Sequence, residues 1–226
     1  MHPFSAKLQK GLDDLGLVLS QDQQNQLLAY MDLIAKWTRV YNLTAVRDAG
    51  EMLTHHLLDS LAVVGPLRRE LARLNRPLDD ATPDASTNSS YKLLDVGSGA
   101  GLPGVVIAIT CPEVVVTCVD TVAKKAAFIQ QVAATLKLPN LRGLHARVET
   151  LTEPFDVVCS RAFASLLDFT NWSQSALAGH GVWMAMKGKH PDQELAVLPQ
   201  NIHVFHVEQL QVPGLDAERC IVWLRG

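Results

Sequence analysis

The sequence predicts an α/β fold: a mostly parallel sheet whose last strands run antiparallel, preceded by a helical extension. Three observations carry this. From Tyr91 onward, short continuous apolar runs alternate with helix-length stretches, as strands and crossovers of a buried parallel sheet do. A glycine-rich turn, GSGAGLPG, directly follows the first of these runs. Upstream, apolar positions recur at helical rather than strand spacing.

Residues 1–65 read as a helical cap. Phe4, Leu8, Leu12 and Leu15 share one face, and Gly16 is placed to end that helix. Ser20 and Gln23 form a capping box for the next helix, along which Leu27, Met31, Ile34 and Tyr41 recur as a buried face. YNLTAVRD interrupts the pattern, and a third apolar face follows through Met52, Leu53, His56, Leu57, Ser60, Leu61 and Val64. Residues 66–90 comprise a basic helix, with Arg69, Arg73 and Arg76 on one face, and the polar stretch DDATPDASTNSS. That stretch carries a proline and no periodicity, so it reads as a loop insertion.

Residues 91–226 hold seven strands, at YKLLDVG, VVVTCVD, LRGLHA, FDVVCSRA, GVWMAMKG, IHVFHVEQL and RCIVWLRG. Helical stretches are expected between the first five. Only a loop separates the last two, so they are expected to pair antiparallel at one end of the sheet.

Composition narrows the function. The chain has 226 residues, 48% of them hydrophobic and 19% charged, which suits one α/β domain with an extension and excludes wholesale disorder. No apolar run approaches the ~18 residues of a membrane span, and the N-terminus lacks the order of a secretory signal. A soluble, cytoplasmic, monomeric protein is expected. The net charge of -3 argues against a protein that coats nucleic acid, while leaving room for one basic face around a pocket. The cysteines, Cys111, Cys118, Cys159 and Cys220, show no C-x-x-C and are read as buried thiols. No metal site is expected, because the histidines show no ligand spacing.

The glycines of LLDVGSGAGLPG can be framed in two ways. Gly99, Gly101 and Gly104 spell the G-x-G-x-x-G of a dinucleotide turn. Gly97, Gly99 and Gly101 spell a tighter G-x-G-x-G with Asp95 just ahead, as in sites for S-adenosylmethionine. Asp95 decides between them. A carboxylate at the loop's mouth would repel a pyrophosphate but suits an ammonium group and a sulfonium centre. Asp120 ends the second strand, where it can accept from ribose hydroxyls of either cofactor. A P-loop is excluded, since no G-K-[ST] follows. The expectation is therefore a Rossmann-like class I methyltransferase sheet, mostly parallel with a terminal antiparallel strand, carrying an N-terminal helical extension.

LLDVGSGAGLPGVVIAI, YNLTAVRD, HHLLDSL, SRAFASL and AMKG, in this order, resemble the RsmG (GidB) family of bacterial ribosomal RNA methyltransferases. The resemblance implies methylation of guanine N7 in the helix 18 loop of 16S ribosomal RNA, with S-adenosylmethionine as donor. It further implies that Gly97 and Leu102 contact the cofactor, that Val148 and Glu149 form the adenine-side pair, and that Arg161 touches the cofactor. Asp95, Gly99, Gly101 and Asp120 follow the general methyltransferase pattern. The polar stretch before the first strand departs from the family pattern and bears on that side of the RNA site.

The chemistry agrees. Guanine N7 carries an in-plane lone pair and no proton, so no general base is needed. Exocyclic amines are methylated beside a D/N-P-P-aromatic turn, and Ser160-Arg161-Ala162-Phe163 stands there instead. Cytosine C5 methylation wants a nucleophilic cysteine after a proline, whereas Cys111-Pro112 has the reverse order. Arg161 is the candidate catalytic residue: it can hold the cofactor carboxylate, an RNA phosphate or guanine O6. An ion pair with Asp95 or Glu149 is the competing reading. Phe163 can stack on a flipped base or belong to the core. Asn42, Arg47 and Lys187 are the candidate RNA contacts. His56 and Asp59 also match family positions, with a buried histidine bonded within its own helix as the plainer account. The partner is 16S RNA in the small subunit or an assembly precursor. A small-molecule or protein methyltransferase on the same fold, and a non-catalytic nucleotide-binding module, remain the alternatives.

Overall fold

The structure is a computed structural model and describes residues 2–74 and 91–226. The expected insertion at 79–90 and Arg76 lie outside the described residues. Five parallel strands, β1 (Tyr91–Val96), β2 (Val114–Asp120), β3 (Leu141–His145), β4 (Phe155–Arg161) and β5 (Leu177–Lys187), are followed by β6 (His203–Leu210) and β7 (Arg219–Arg225). The order across the sheet is β3-β2-β1-β4-β5-β7-β6, with β7 antiparallel to both β5 and β6. All seven strands stand where the apolar runs placed them.

The crossovers are α6 (Gly104–Thr110), α7 (Ala123–Leu136) and α8 (Leu166–Ser173). A helix was expected between β3 and β4 as well. A single 3-10 turn, Val148–Thr150, stands there. Few residues separate those strands, too few for a helix and two turns.

The helical extension contains α1 (Ser5–Asp14), α2 (Gln21–Tyr41), α3 (Ala49–Met52), α4 (Asp59–Leu61) and α5 (Val64–Leu74). Ser20 and Gln23 do form a reciprocal capping box on α2. The third expected helix is instead interrupted by a π-turn, Leu53–Leu58, between α3 and α4. Tyr41 was expected in the buried face of α2 but is 42% exposed. Trp37 takes that place, its ring 5.2 Å from that of Phe128 on α7. Asn42 then ends α2 in the left-handed conformation, φ 51°.

Strand side chains alternate between two cores, as a period of two requires. Leu93, Val116, Val157 and Met184 face α6, α7 and the N-terminal helices, including Leu27, Ile34 and Leu57. Leu94, Val119, Val158 and Trp183 face α8 through Leu166 and Phe169. The helical extension therefore shares a continuous core with one face of the sheet. No helix among the described residues is long and apolar enough to cross a membrane. All four cysteines are free and buried.

The arginine face of α5 is occupied by carboxylates. Arg69 pairs with Glu208 on β6, and Arg73 with the buried Glu70, which Arg225 on β7 also holds at 2.9 Å. The pairs to Glu208 and Arg225 tie α5 to β6 and β7.

Candidate active site

From β1 the chain winds toward β2 and β3, and from β4 toward β5, so a crevice opens at the carboxyl ends of β1 and β4. Two adjoining cavities fill it, with Gly97 and Ala162 in both walls. The first, about 420 Å³, lies between the glycine loop, Arg161 and Lys187 on one side and Thr44, His56 and Asp59 of the helical extension on the other. The second, about 530 Å³, is bounded by Asp120, Val148, Glu149, Phe163 and Trp172.

The loop after β1 is built for close approach. Gly97 adopts φ +64°, and a Cβ there would lie 2.2 Å from the Phe163 ring. Gly99 adopts φ +59°, and a Cβ there would meet nothing nearer than the Gly97 carbonyl at 3.9 Å. That missing side chain leaves an open cradle in the wall of the first cavity, which only glycine supplies at this φ. Gly101 and Leu102 complete the loop, with Leu102 in the same wall. Asp120 fastens the loop from β2: its Oδ2 accepts from Gly99 N at 3.0 Å and its Oδ1 from Val122 N at 2.9 Å. Lys125 stands 3.4 Å from the same carboxylate. A carboxylate can accept about four hydrogen bonds, so Asp120 keeps capacity for a ligand hydroxyl.

Asp95 was expected at the mouth of the loop. It lies behind the loop instead, fully buried and absent from both cavity walls. Its Oδ2 accepts from Gly104 N at 2.9 Å and so ties β1 to the start of α6. Its Oδ1, like Ser98 Oγ, has no hydrogen-bond partner among the described residues. Burial pushes the Asp95 carboxyl up to about 7, against the opposing pull of the Gly104 N–H and the Arg161 charge.

A pH effect follows. Between its unfolded value, near 4, and about 7, the native protein holds a proton on Asp95 that the unfolded chain has released. This contribution to stability is full below pH ~4 and is lost as pH rises to about 7. Asp95→Asn should abolish it. Urea titrations at pH 5.5 and 7 should show wild type losing up to about 2 kcal/mol relative to Asp95→Asn. Parallel pH profiles for the two proteins would refute the assignment.

Arg161, at the end of β4, reaches into the first cavity and across to the helical extension. Its Nη1 donates to His55 O at 2.9 Å and to Asp59 Oδ2 at 2.8 Å. Arg219, at the start of β7, donates through Nε to Asp59 Oδ1 at 2.8 Å. The partner of Arg161 is thus Asp59, not Asp95 or Glu149. Among the described residues only Nη1 of Arg161 is engaged, so its other nitrogens remain for a ligand. Asp59, 3% exposed, sits between two guanidinium groups directly after the π-turn, a distortion often found at functional sites.

His56 bonds outside its own helix, Nε2 lying 2.8 Å from Thr44 Oγ1. Burial, with the Arg161 charge second, lowers its pKa to about 4, so it is neutral at physiological pH. Lys187 lines the first cavity, but its ammonium donates to Ala164 O at 3.0 Å and to Glu194 Oε2 at 2.8 Å. Asn42 and Arg47 do not reach the cavity wall. Arg47 donates to Asn42 Oδ1 at 2.6 Å and to Thr38 O at 2.9 Å, bracing the end of α2. Their neighbours Leu43 and Thr44 line the cavity instead.

Phe163 and Trp172 form the aromatic wall of the second cavity, with ring centroids 5.8 Å apart in an edge-to-face arrangement. Val148 and Glu149 stand opposite on the 3-10 turn. Ala162, between the cavities, adopts φ +52°, a left-handed conformation that costs energy in a non-glycine residue and recurs at functional sites. A cavity with an apolar and aromatic side, Val148, Phe163 and Trp172, and with the carboxylates of Asp120 and Glu149 fits an adenosine. The open cradle at Gly99 leaves room for the rest of S-adenosylmethionine. Sequence reasoning missed Thr44, Trp172 and Arg219 as site residues. Thr44 lay within the quoted YNLTAVRD, and Trp172 is an aromatic in the helix that follows SRAFASL; Arg219 carried no local signal.

A family model described as GidB, rRNA small subunit methyltransferase G, matches residues 23–222. A protein from a Polaromonas species named ribosomal RNA small subunit methyltransferase G is 69% identical over 218 residues, covering 96% of this chain and 92% of that one. Its namesake from Albidiferax ferrireducens is 65% identical over 225 residues, covering 100% of this chain and 98% of that one. Among solved structures, a SAM-dependent methyltransferase from Aquifex aeolicus shares the fold with a TM-score of 0.51 at 15% identity, covering 74% of this chain and 92% of that one. TrmN from Thermus thermophilus gives 0.50 at 18% identity, covering 76% of this chain and 53% of that one. These structural likenesses establish the class I methyltransferase fold.

Proposed function

The chain belongs to the GidB family of small-subunit rRNA methyltransferases, and on that premise we propose that it methylates N7 of a guanine in 16S ribosomal RNA. The acceptor is the guanine of the helix 18 loop, presented within the small subunit or an assembly precursor. One observation carries this reading: a cavity suited to adenosine meets a cavity walled by Arg161, Lys187 and Arg219 at a common edge, Gly97 and Ala162.

Bound S-adenosylmethionine supplies a methyl group on a positively charged sulfur. Gly97, Gly99, Leu102, Asp120, Val148 and Glu149 would hold it. Asp95 and Gly101 act from behind, by shaping the loop. Arg161 is placed to orient the acceptor through guanine O6 or a phosphate, leaving N7 clear. The Asp59 carboxylate keeps that guanidinium in place without cancelling it, because Arg219 shares the same charge. No proton has to leave N7, so the site needs no free base, and His56 in its wall is bonded to Thr44. Alignment and exclusion of water then carry the rate, a contribution of about 7–11 kcal/mol in well-oriented systems. No cysteine appears in either cavity wall, as suits a reaction without a covalent enzyme–base adduct.

With Lys187 paired to Glu194 and a net charge of -3, affinity for RNA has to come from a folded particle more than from phosphate attraction. The test supplies methyl-labelled S-adenosylmethionine with small subunits from cells lacking the modification, then digests the RNA. Label in 7-methylguanosine at a single guanine of the helix 18 loop is the expected result. Label in another nucleoside, or in a small-molecule acceptor, would refute it. Faster labelling of a short hairpin than of the subunit would refute the preference for the particle.

A further inference from the structure

The glycine loop has a second anchor that comes from outside the sheet. Tyr30, fully buried on α2, donates through its hydroxyl to the carbonyls of Ala100, 2.6 Å away, and Gly101, 3.1 Å away. Both carbonyls belong to the turn that lines the cofactor side of the crevice, and both residues are themselves buried. Gly101 adopts φ +90°, and a Cβ there would strike Val105, Ile129 and the Tyr30 hydroxyl. The turn is therefore wedged between α2 and α7. Along the same helix, Gln23 Nε2 donates to Ile109 O at 2.9 Å and Gln26 Nε2 to Leu136 O at 2.9 Å. Thus α2 closes the carboxyl ends of α6 and α7, and Tyr30 is its contact with the loop itself.

We propose that Tyr30 is a positioning residue for cofactor binding: its hydroxyl holds the Ala100 and Gly101 carbonyls turned away from the crevice and so keeps the loop in its ligand-ready shape. The helical extension is by this account part of the cofactor site and not only a lid over it. The phenol remains a donor at every working pH, since burial raises its pKa well above the ordinary value. Without the hydroxyl, the buried Ala100 carbonyl loses its donor, while Gly101 O keeps Val105 N at 2.8 Å, and the loop populates other arrangements. Apparent affinity then falls by the fraction of molecules still in the competent shape. The proposal rests on placing S-adenosylmethionine in this loop.

The test is Tyr30→Phe, which removes one oxygen and keeps the ring that fills the core. Calorimetric titration with S-adenosylmethionine should show roughly tenfold weaker binding, the equivalent of one buried hydrogen bond. KM for the cofactor should rise in step. The kcat at saturating cofactor and the KM for small subunits should stay within about twofold. Gln26→Ala, which removes a comparable bond of α2 far from the loop, should lower the melting temperature but leave cofactor affinity unchanged. Unchanged affinity in Tyr30→Phe, or losses in both variants that merely track melting temperature, would overturn the proposal. If Tyr30→Phe does not fold, hydrogen exchange on wild type decides. The Gly101 and Leu102 amides should be protected without cofactor as well as α6 is, and exchange at exposed-loop rates would overturn it. A wild-type protein that binds no S-adenosylmethionine would instead refute the cofactor placement.

Discussion

Gly97→Ala should leave a folded protein that no longer binds S-adenosylmethionine measurably, with affinity reduced at least about 100-fold, a loss near 3 kcal/mol. The backbone at Gly97 stands at φ +64°, where an alanine costs roughly 1–2 kcal/mol. The larger effect is local. The new Cβ would lie 2.2 Å from Phe163, so the ring has to move. Phe163 can leave only by breaking its contact with Trp172 or entering the second cavity, the slot assigned to adenosine. Calorimetric titration measures the loss, and near-ultraviolet circular dichroism reports the displaced aromatic pair. Phe163→Ala in the Gly97→Ala background should recover a substantial part of the affinity, because it removes the group that the methyl displaces. Recovery absent from the double variant would show that backbone strain, not the ring, governs the loop.

Asp59→Ala should have the largest effect on stability, about 3–5 kcal/mol, because it strands two partly buried guanidinium groups without their shared carboxylate. It should also lower turnover at least about 100-fold, since Arg161 loses the partner that aims it. Arg161→Met and Arg219→Met each leave Asp59 with one arginine, so each should cost less stability than Asp59→Ala. Turnover should not follow the order of stability. Arg161→Met should be as inactive as Asp59→Ala despite its smaller loss of stability. Urea unfolding and single-turnover methylation on the same three variants measure both orders. Equal activity of Arg161→Met and wild type would reduce Arg161 to a structural ion pair.

Much of this site was legible because its signals are short-range. Strand runs, the Ser20 capping box and the glycine turn depend on residues within a few positions of one another. Asp120 could be placed in the crevice because it ends a recognisable strand, whereas Val148 and Glu149 were implied only by the family resemblance. Side-chain partners were less legible. Asn42 and Arg47 were expected at the mouth of the pocket, yet they brace the end of α2, where Asn42 tolerates the left-handed backbone that stops the helix. Tyr41 shared the apolar period of α2, but the helix outruns the core at its last turn, and it is Trp37 that packs on Phe128 of α7.

The sequence by itself determined the α/β class, the strand positions and the glycine turn, because backbone sterics and apolar periodicity act between near neighbours; the family was legible in the order of its motifs. The tertiary structure decided which charges meet. Arg161 finds Asp59 across 102 residues, and Arg219 finds it across 160. Tyr30 reaches the glycine loop across 70 residues. Such pairs exist only once the sheet order and helix packing bring distant segments together. The same packing put Asp95 behind the loop, where burial makes its carboxylate a structural acceptor for Gly104 and keeps it out of the cavity wall.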